Sequence, residues 1–267
     1  MLKDITLGQY FPGTTVIHRL DPRTKLSLTV IYIAALFTAK GPIAYALMFA
    51  ALVACVVVSK ISLKTIMKSL KPILFVLLFT MILNMLFTNG TVIFELWIIK
   101  VTREGLIFAG YMMARLVMLV TGTFLLTYTT SPLALTDGIE SLLNPLKKIK
   151  LPVHELAMMM SIALRFIPTL IEEADKIMSA QKARGADFET GNIIKRAKAM
   201  LPLLIPLFVS AFRRADELAV AMESRCYHGG EGRTRMKKLK MSAIDYLAFL
   251  YAATLFAAVI VLRQFGI

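Results

Sequence analysis

Gly105-Leu106-Ile107-Phe108-Ala109-Gly110-Tyr111-Met112-Met113-Ala114-Arg115-Leu116-Val117-Met118-Leu119-Val120-Thr121-Gly122-Thr123-Phe124-Leu125-Leu126-Thr127-Tyr128-Thr129-Thr130 carries a single charge, Arg115, in 26 positions. About 20 such residues suffice for a helix to cross a hydrocarbon core about 30 Å thick. Four shorter apolar runs lie on either side, at Leu26–Ala39, Ile43–Ser59, Pro72–Thr88 and Ala243–Leu262. The first three cover only about 21–26 Å at 1.5 Å per residue, which calls for local bilayer thinning. Lys40-Gly41-Pro42 is a turn signal and makes the first two runs a tight helical hairpin. Hydrophobic residues make up 57% of the chain and its mean hydropathy is +0.69, against about 45–50% apolar residues in soluble domains. The class is an all-α integral membrane protein. Asp4, His18, Arg19, Asp21 and Arg23 precede the first apolar run, so the short apolar core of a signal peptide is not expected there.

The net charge of +14 is placed as membrane topology places it. Lys60, Lys64, Lys68 and Lys71 follow the second run, and residues 131–242 hold eighteen Lys and Arg, whereas the opposite loops hold only Lys40, Lys100 and Arg103. By the positive-inside rule the N-terminus lies inside and the C-terminus outside. Aromatic residues do not interleave with the basic ones, so a nucleic-acid platform is not expected. Thr91–Thr102 follows Asn89-Gly90, is rich in β-branched and aromatic residues, and reads as a short extended or hairpin segment on the outer face. Arg115 is expected to face the bundle interior and pair with backbone carbonyls; the alternative is a transport role. Cys55 and Cys226 fall in a membrane run and a polar region, so neither a disulfide nor a metal site is expected of them.

Residues 131–242 are too many for a connecting loop. The expected division is a membrane domain of four spans at 1–130, a cytoplasmic domain at 131–242, and a last span within 243–267. Glu155–Lys182 and Leu201–Arg225 read as two long amphipathic helices. Ile167, Leu170, Ile171, Ala174, Ile177 and Met178 on the first match Phe208, Ala211, Phe212, Ala215, Leu218 and Ala219 on the second at an offset of 41. Each set is an i, i+3, i+4, i+7 stripe. Ala174-Asp175 and Ala215-Asp216 recur at the same offset, and each aspartate precedes an arginine, Arg184 or Arg225, by nine residues. Nine residues are about two and a half turns, so neither arginine pairs with its own aspartate, and each is free for an outside partner. Pro168, Pro202 and Pro206 should kink or start their helices. Gly185 and Gly229-Gly230 should end the two units. Glu172-Glu173 corresponds to Arg213-Arg214, which predicts that the helices cross with these charges in contact.

No catalytic set is legible. His18, His154 and His228 are dispersed; His18 with Arg19 and Asp21 reads as a helix-entry network. The phosphate-binding Gly-x-x-x-x-Gly-Lys-Ser/Thr loop and the Gly-x-Ser-x-Gly elbow are missing from the sequence. Met158-Met159-Met160 reads as packing, and Glu172 and Glu173, adjacent on a helix, do not face each other. The chain reads as non-enzymatic, with no cofactor.

The chain resembles the transmembrane component of energy-coupling factor transporters, a branch of the ABC transporters that imports vitamins and metal ions. The resemblance rests on Gly8-Gln9-Tyr10, Pro12-Gly13, His18-Arg19-Leu20-Asp21-Pro22-Arg23-Thr24-Lys25-Leu26 and Ala163-Leu164-Arg165-Phe166-Ile167-Pro168. It continues with Ala180-Gln181-Lys182-Ala183-Arg184-Gly185-Ala186-Asp187-Phe188, then Arg214-Ala215-Asp216-Glu217-Leu218-Ala219, and Ala221-Met222-Glu223 before Ser224-Arg225. It implies a scaffold in the bacterial inner membrane that joins two cytosolic ATPases, the same or different, to a small substrate-capture membrane subunit. It further implies that two crossing coupling helices each end in an x-Arg-x motif inserted into an ATPase groove. Carried over, these are Ala183-Arg184-Gly185 and Ser224-Arg225-Cys226; the family usually has Ala-Arg-Gly in the second too. Arginine's fixed fork of donors suits an acidic groove. A stand-alone secondary transporter, the alternative, wants more mid-membrane polar residues than Arg115 and Asn84, and a membrane-embedded enzyme wants the missing catalytic set.

Overall fold

The computed structural model describes residues 10–88, 91–96, 99–188, 192–229 and 239–265. They fall into two compact units, one within Gly8–Gly138 and Leu239–Ile267, the other within Ile139–Lys238.

The first unit opens with a single turn, α1 (Val16–Arg19), and then α2 (Pro22–Thr38). Asp21 caps α2 by accepting the Arg23 backbone N–H at 2.9 Å, and Pro22 at the first helical position needs no donor of its own. Gly41 then takes φ +83°, a left-handed value that favours glycine, and Pro42 starts α3 (Pro42–Ser59). The turn expected at Lys40-Gly41-Pro42 is there. Ser62 caps α4 (Leu63–Leu70), which runs through a 3-10 turn at Lys71–Ile73 into α5 (Leu74–Phe87). The helical stretch that holds the third apolar run therefore begins at Leu63, ahead of the charge-free residues that start at Pro72. Pro72, which cannot donate, sits in the 3-10 joint. Strands β1 (Val92–Leu96) and β2 (Ile99–Thr102) pair antiparallel with a register shift between Val92 and Phe94, the hairpin expected for this segment; Asn89-Gly90 lies outside the described residues. Thr102 accepts the Gly105 N–H at 3.1 Å and caps α6 (Arg103–Thr129). The chain continues through α7 (Pro132–Leu143) and, after the second unit, returns as α10 (Ala243–Gln264). Helix α2 packs chiefly on α10 and α6, and α3 on α6, α1 and α10, so α2 and α3 are not the closely packed hairpin expected.

Leu36, Tyr45, Met48, Leu52, Met118 and Val259 form the core where α2, α3, α6 and α10 meet. Outside it Phe75, Phe79, Phe87, Leu247 and Leu250 are more than half exposed. Water tolerates such a band poorly, and lipid is its natural solvent. Among the described residues, five helical stretches are long and apolar enough to cross a bilayer: Pro42–Ser59, Leu63–Met85, Arg103–Thr129, Val153–Ala183 and Ala243–Gln264. This set differs from the five runs of the sequence at one member. Pro22–Thr38 has 17 residues, about 25 Å of helix, and Val153–Ala183 stands in its place.

The second unit is built on α8 (Val153–Ala183) and α9 (Ile193–Glu223), each 31 residues long. The first agrees with the expected Glu155–Lys182 and carries Pro168 inside it. The second begins eight residues before the expected Leu201. Pro202 and Pro206 lie within the helix instead of starting it. Both prolines are exposed, so the backbone carbonyls that they deprive of donors lie on an open face where other donors can reach them.

Candidate functional site, two arginine-tipped helices

The helices α8 and α9 pack against each other at a polar contact. Arg214 Nη2 donates to Glu173 Oε2 at 2.8 Å, and the Ser210 hydroxyl donates to Glu173 Oε1 at 2.5 Å. Of the four charges expected to meet, Glu173 and Arg214 do; Glu172 and Arg213 are exposed. Residues 173 and 214 are equivalent positions of the 41-residue repeat. The apolar stripes differ in their cover: on α8 Ala174 is buried, whereas on α9 Phe208 is 62% exposed and Phe212 is 67% exposed.

Each helix ends in the same turn. The Gly185 N–H bonds Lys182 O at 3.0 Å and the Ala186 N–H bonds Gln181 O at 3.0 Å. Forty-one residues on, the Cys226 N–H bonds Glu223 O at 2.8 Å and the Tyr227 N–H bonds Met222 O at 3.0 Å. This is the Schellman arrangement, which puts one residue in the left-handed region. Gly185 fills that place in the first turn, as expected. In the second it is Cys226, not Gly229-Gly230; Gly229 is three residues further along and Gly230 lies outside the described residues. A single local amide pattern, repeated at the offset of 41, therefore sets Arg184 and Arg225 one residue before their corners. Ala183, Arg184, Gly185, Ser224, Arg225 and Cys226 are all exposed. Among the described residues neither guanidinium has a hydrogen bond or ion pair. Each arginine lies eleven residues beyond the Glu173–Arg214 contact, about 16 Å along its helix.

Three further sites answer expectations or add to them. Arg115 reaches from α6 to the turn between α2 and α3, its Nη2 3.5 Å from Ala39 O and its guanidinium carbon 5.7 Å from the ring centres of Phe37 and Tyr45. It serves the free carbonyl end of α2, the interior reading expected of it. His18 belongs to a helix-entry network, with Phe11 and Thr15 in place of the expected Arg19 and Asp21: its Nε2 donates to Phe11 O at 3.1 Å, which leaves Nδ1 to accept from the Thr15 hydroxyl at 2.6 Å. Cys55 and Cys226 are both free thiols.

A polar knot around Asp245 escaped the sequence reading. Asp245 is 1% exposed. It accepts the Asp21 N–H at 2.9 Å through Oδ1, and the Ser242 N–H and hydroxyl at 2.7 and 2.8 Å through Oδ2. Lys25, in electrostatic reach of Asp245 and Asp21, donates to Thr129 O at 2.8 Å and His18 O at 3.1 Å. The knot ties the starts of α2 and α10 to the end of α6. Its sequence signal is Ser242-x-x-Asp245, a capping-box pattern at the head of an apolar run.

These features define an α-helical integral membrane protein that carries a pair of repeat-related helices with exposed arginine ends. Residues 13–236 match the family model CbiQ, described as cobalt transport protein. The chain is 53% identical over 249 residues to the energy-coupling factor transporter transmembrane protein EcfT of Thermosediminibacter oceani, covering 93% of this chain and 94% of that one. It is 53% identical over 263 residues to the protein of the same name from Acidaminococcus fermentans, covering 98% of each. With that of Bacillus subtilis it shares 50% identity over 264 residues, covering 98% of this chain and 100% of the relative. The chain belongs to this family, the transmembrane components of energy-coupling factor transporters.

Proposed function

We propose that the chain is the scaffold that carries ATP-driven motion from two cytosolic ABC ATPases to a small substrate-capture membrane subunit, for uptake of a vitamin or a metal ion. Arg184 and Arg225 each enter a groove of one ATPase, flanked by Ala183 and Gly185 and by Ser224 and Cys226. The observation that carries this reading is the pair of arginines, unpartnered among the described residues, set by the same turn at the same distance from one helix–helix contact. The Lys and Arg bias supports a topology with the N-terminus and residues 131–242 in the cytosol and the C-terminus outside. In this topology the spans are α2, α3, α5, α6 and α10, and α4 with Lys64 and Lys68 lies on the cytoplasmic side. The charges of the outer half of α8 and its polar contact with α9 support its place among the cytoplasmic helices, its apolar first half notwithstanding.

A stand-alone secondary transporter is the other reading. Such a protein needs a polar substrate site near mid-membrane. A cavity of about 490 Å³ between α1, α2, α3, α6 and α10 is lined mainly by Leu, Ile, Val and Ala, and the ammonium of Lys25 on its wall is engaged by backbone carbonyls. That chemistry favours the scaffold.

The deciding experiment is co-purification. Two ATPase subunits should accompany this chain in detergent. Arg184→Glu with Arg225→Glu should release them and abolish uptake while the protein stays in the membrane, since truncating one side of a buried charged contact costs about 2–5 kcal/mol. ATP-driven uptake that survives the double substitution overturns the proposal.

A further inference from the structure

We infer that Glu173, held by Arg214 and Ser210, is a positioning residue that sets the separation of the two arginine tips; what that separation serves rests on the function proposed above. Residues 173 and 214 are the same position of a repeat, and they touch each other. Two copies of a helix that cross about a local two-fold bring the residue on the axis against its own counterpart, as in an isologous interface. A like charge at both copies would repel there, so the position must carry opposite charges or none. Glu173 and Arg214 meet that condition.

The hydrogen bonds make the contact directional. Both Glu173 oxygens are used, one by the Arg214 guanidinium and one by the Ser210 hydroxyl, four residues apart on α9. The carboxylate is thereby pinned to one turn of its neighbour and cannot slide by a turn. Both tips lie eleven residues beyond, with continuous helix between, so a small rotation at the contact becomes a displacement of several ångströms at the arginines. A half-buried charge pair still open to solvent adds little to stability, which separates a positioning role from a merely structural one.

The test uses the full chain in lipid nanodiscs without ATPases, with Cys55→Ala and Cys226→Gly. Spin labels are attached at Ser179→Cys and Val220→Cys, equivalent exposed positions between the crossing and the tips. The parent should give one narrow distance distribution. Glu173→Arg or Arg214→Glu should broaden or shift it, and the milder Glu173→Gln should do so partly. The double swap of Glu173→Arg with Arg214→Glu should restore it, with the unfolding midpoint little changed throughout. In the complete transporter with native cysteines, uptake should fall about tenfold in each single variant and recover in the double. Unaltered distances in the single variants, or a double swap no better than either half, overturn the inference. Failure of the parent to hold ATPases overturns the function proposed above, while the distances still decide whether the clamp exists.

Discussion

Gly185 and Cys226 stand at the same left-handed corner of two repeat-related helices, with φ of +88° and +56°. Glycine takes that conformation freely, whereas a side chain there costs about 1–2 kcal/mol. The turn at Cys226 forms nonetheless, because the Cys226 and Tyr227 amides both find carbonyls of the last helical turn. The second tip is thus the more strained of two turns with one hydrogen-bond pattern.

Cys226→Gly should relieve that strain. The gain is reduced by the extra freedom of glycine in the unfolded chain, leaving roughly 0.5–1 kcal/mol of local stability. Hydrogen exchange of the Tyr227 amide reads it directly and should slow several-fold. Gly185→Ala should do the reverse at the Ala186 amide. Its added methyl group meets open space, so any loss there comes from the backbone alone.

Asp245→Ala should destabilise the membrane unit by about 3 kcal/mol, the scale for removing one member of a buried charged cluster. It leaves the Asp21 and Ser242 amides without their acceptor and Lys25 without a neighbouring carboxylate. Asp245→Asn keeps an acceptor and should fall between the two. Unfolding midpoints in detergent should rank parent, Asn, Ala; an Ala variant that melts with the parent would refute the role given to the knot.

His18 lies outside the spans, and burial holds its imidazole below the ordinary value, with the bond to Phe11 O opposing and the nearby Lys25 charge adding to the shift. The folded protein therefore binds the proton less readily than the unfolded chain. The stabilisation is complete above about pH 6.5 and is lost as pH falls through the lower folded value. Titration of the His18 ring signal by NMR, assigned with His18→Gln, should show a midpoint below 6.5. A midpoint at or above that value contradicts the burial argument.

Much of this protein is legible residue by residue. The long apolar runs, the Lys40-Gly41-Pro42 turn, the hairpin after Thr91 and the corner at Gly185 are local features, written by hydrophobicity, period and backbone preference. The repeat at 41 residues, and through it the pairing of the two arginine tips, is visible for the same reason. The start of α9 was not legible. Its two prolines are strong breakers by propensity, yet on an exposed face the helix runs through them.

The sequence by itself determined an α-helical membrane protein, the repeat, and the oppositely charged residues at its equivalent positions. Tertiary structure alone decided that Glu173 and not Glu172 meets the partner helix, that Arg115 serves the end of α2, and that Asp21 bonds Asp245 across 224 residues of chain. Such choices depend on the rotational phase of one helix against another. A residue's neighbour one position along points about 100° away around the helix. That phase follows from how all the helices of a unit pack together, which no local stretch of sequence contains.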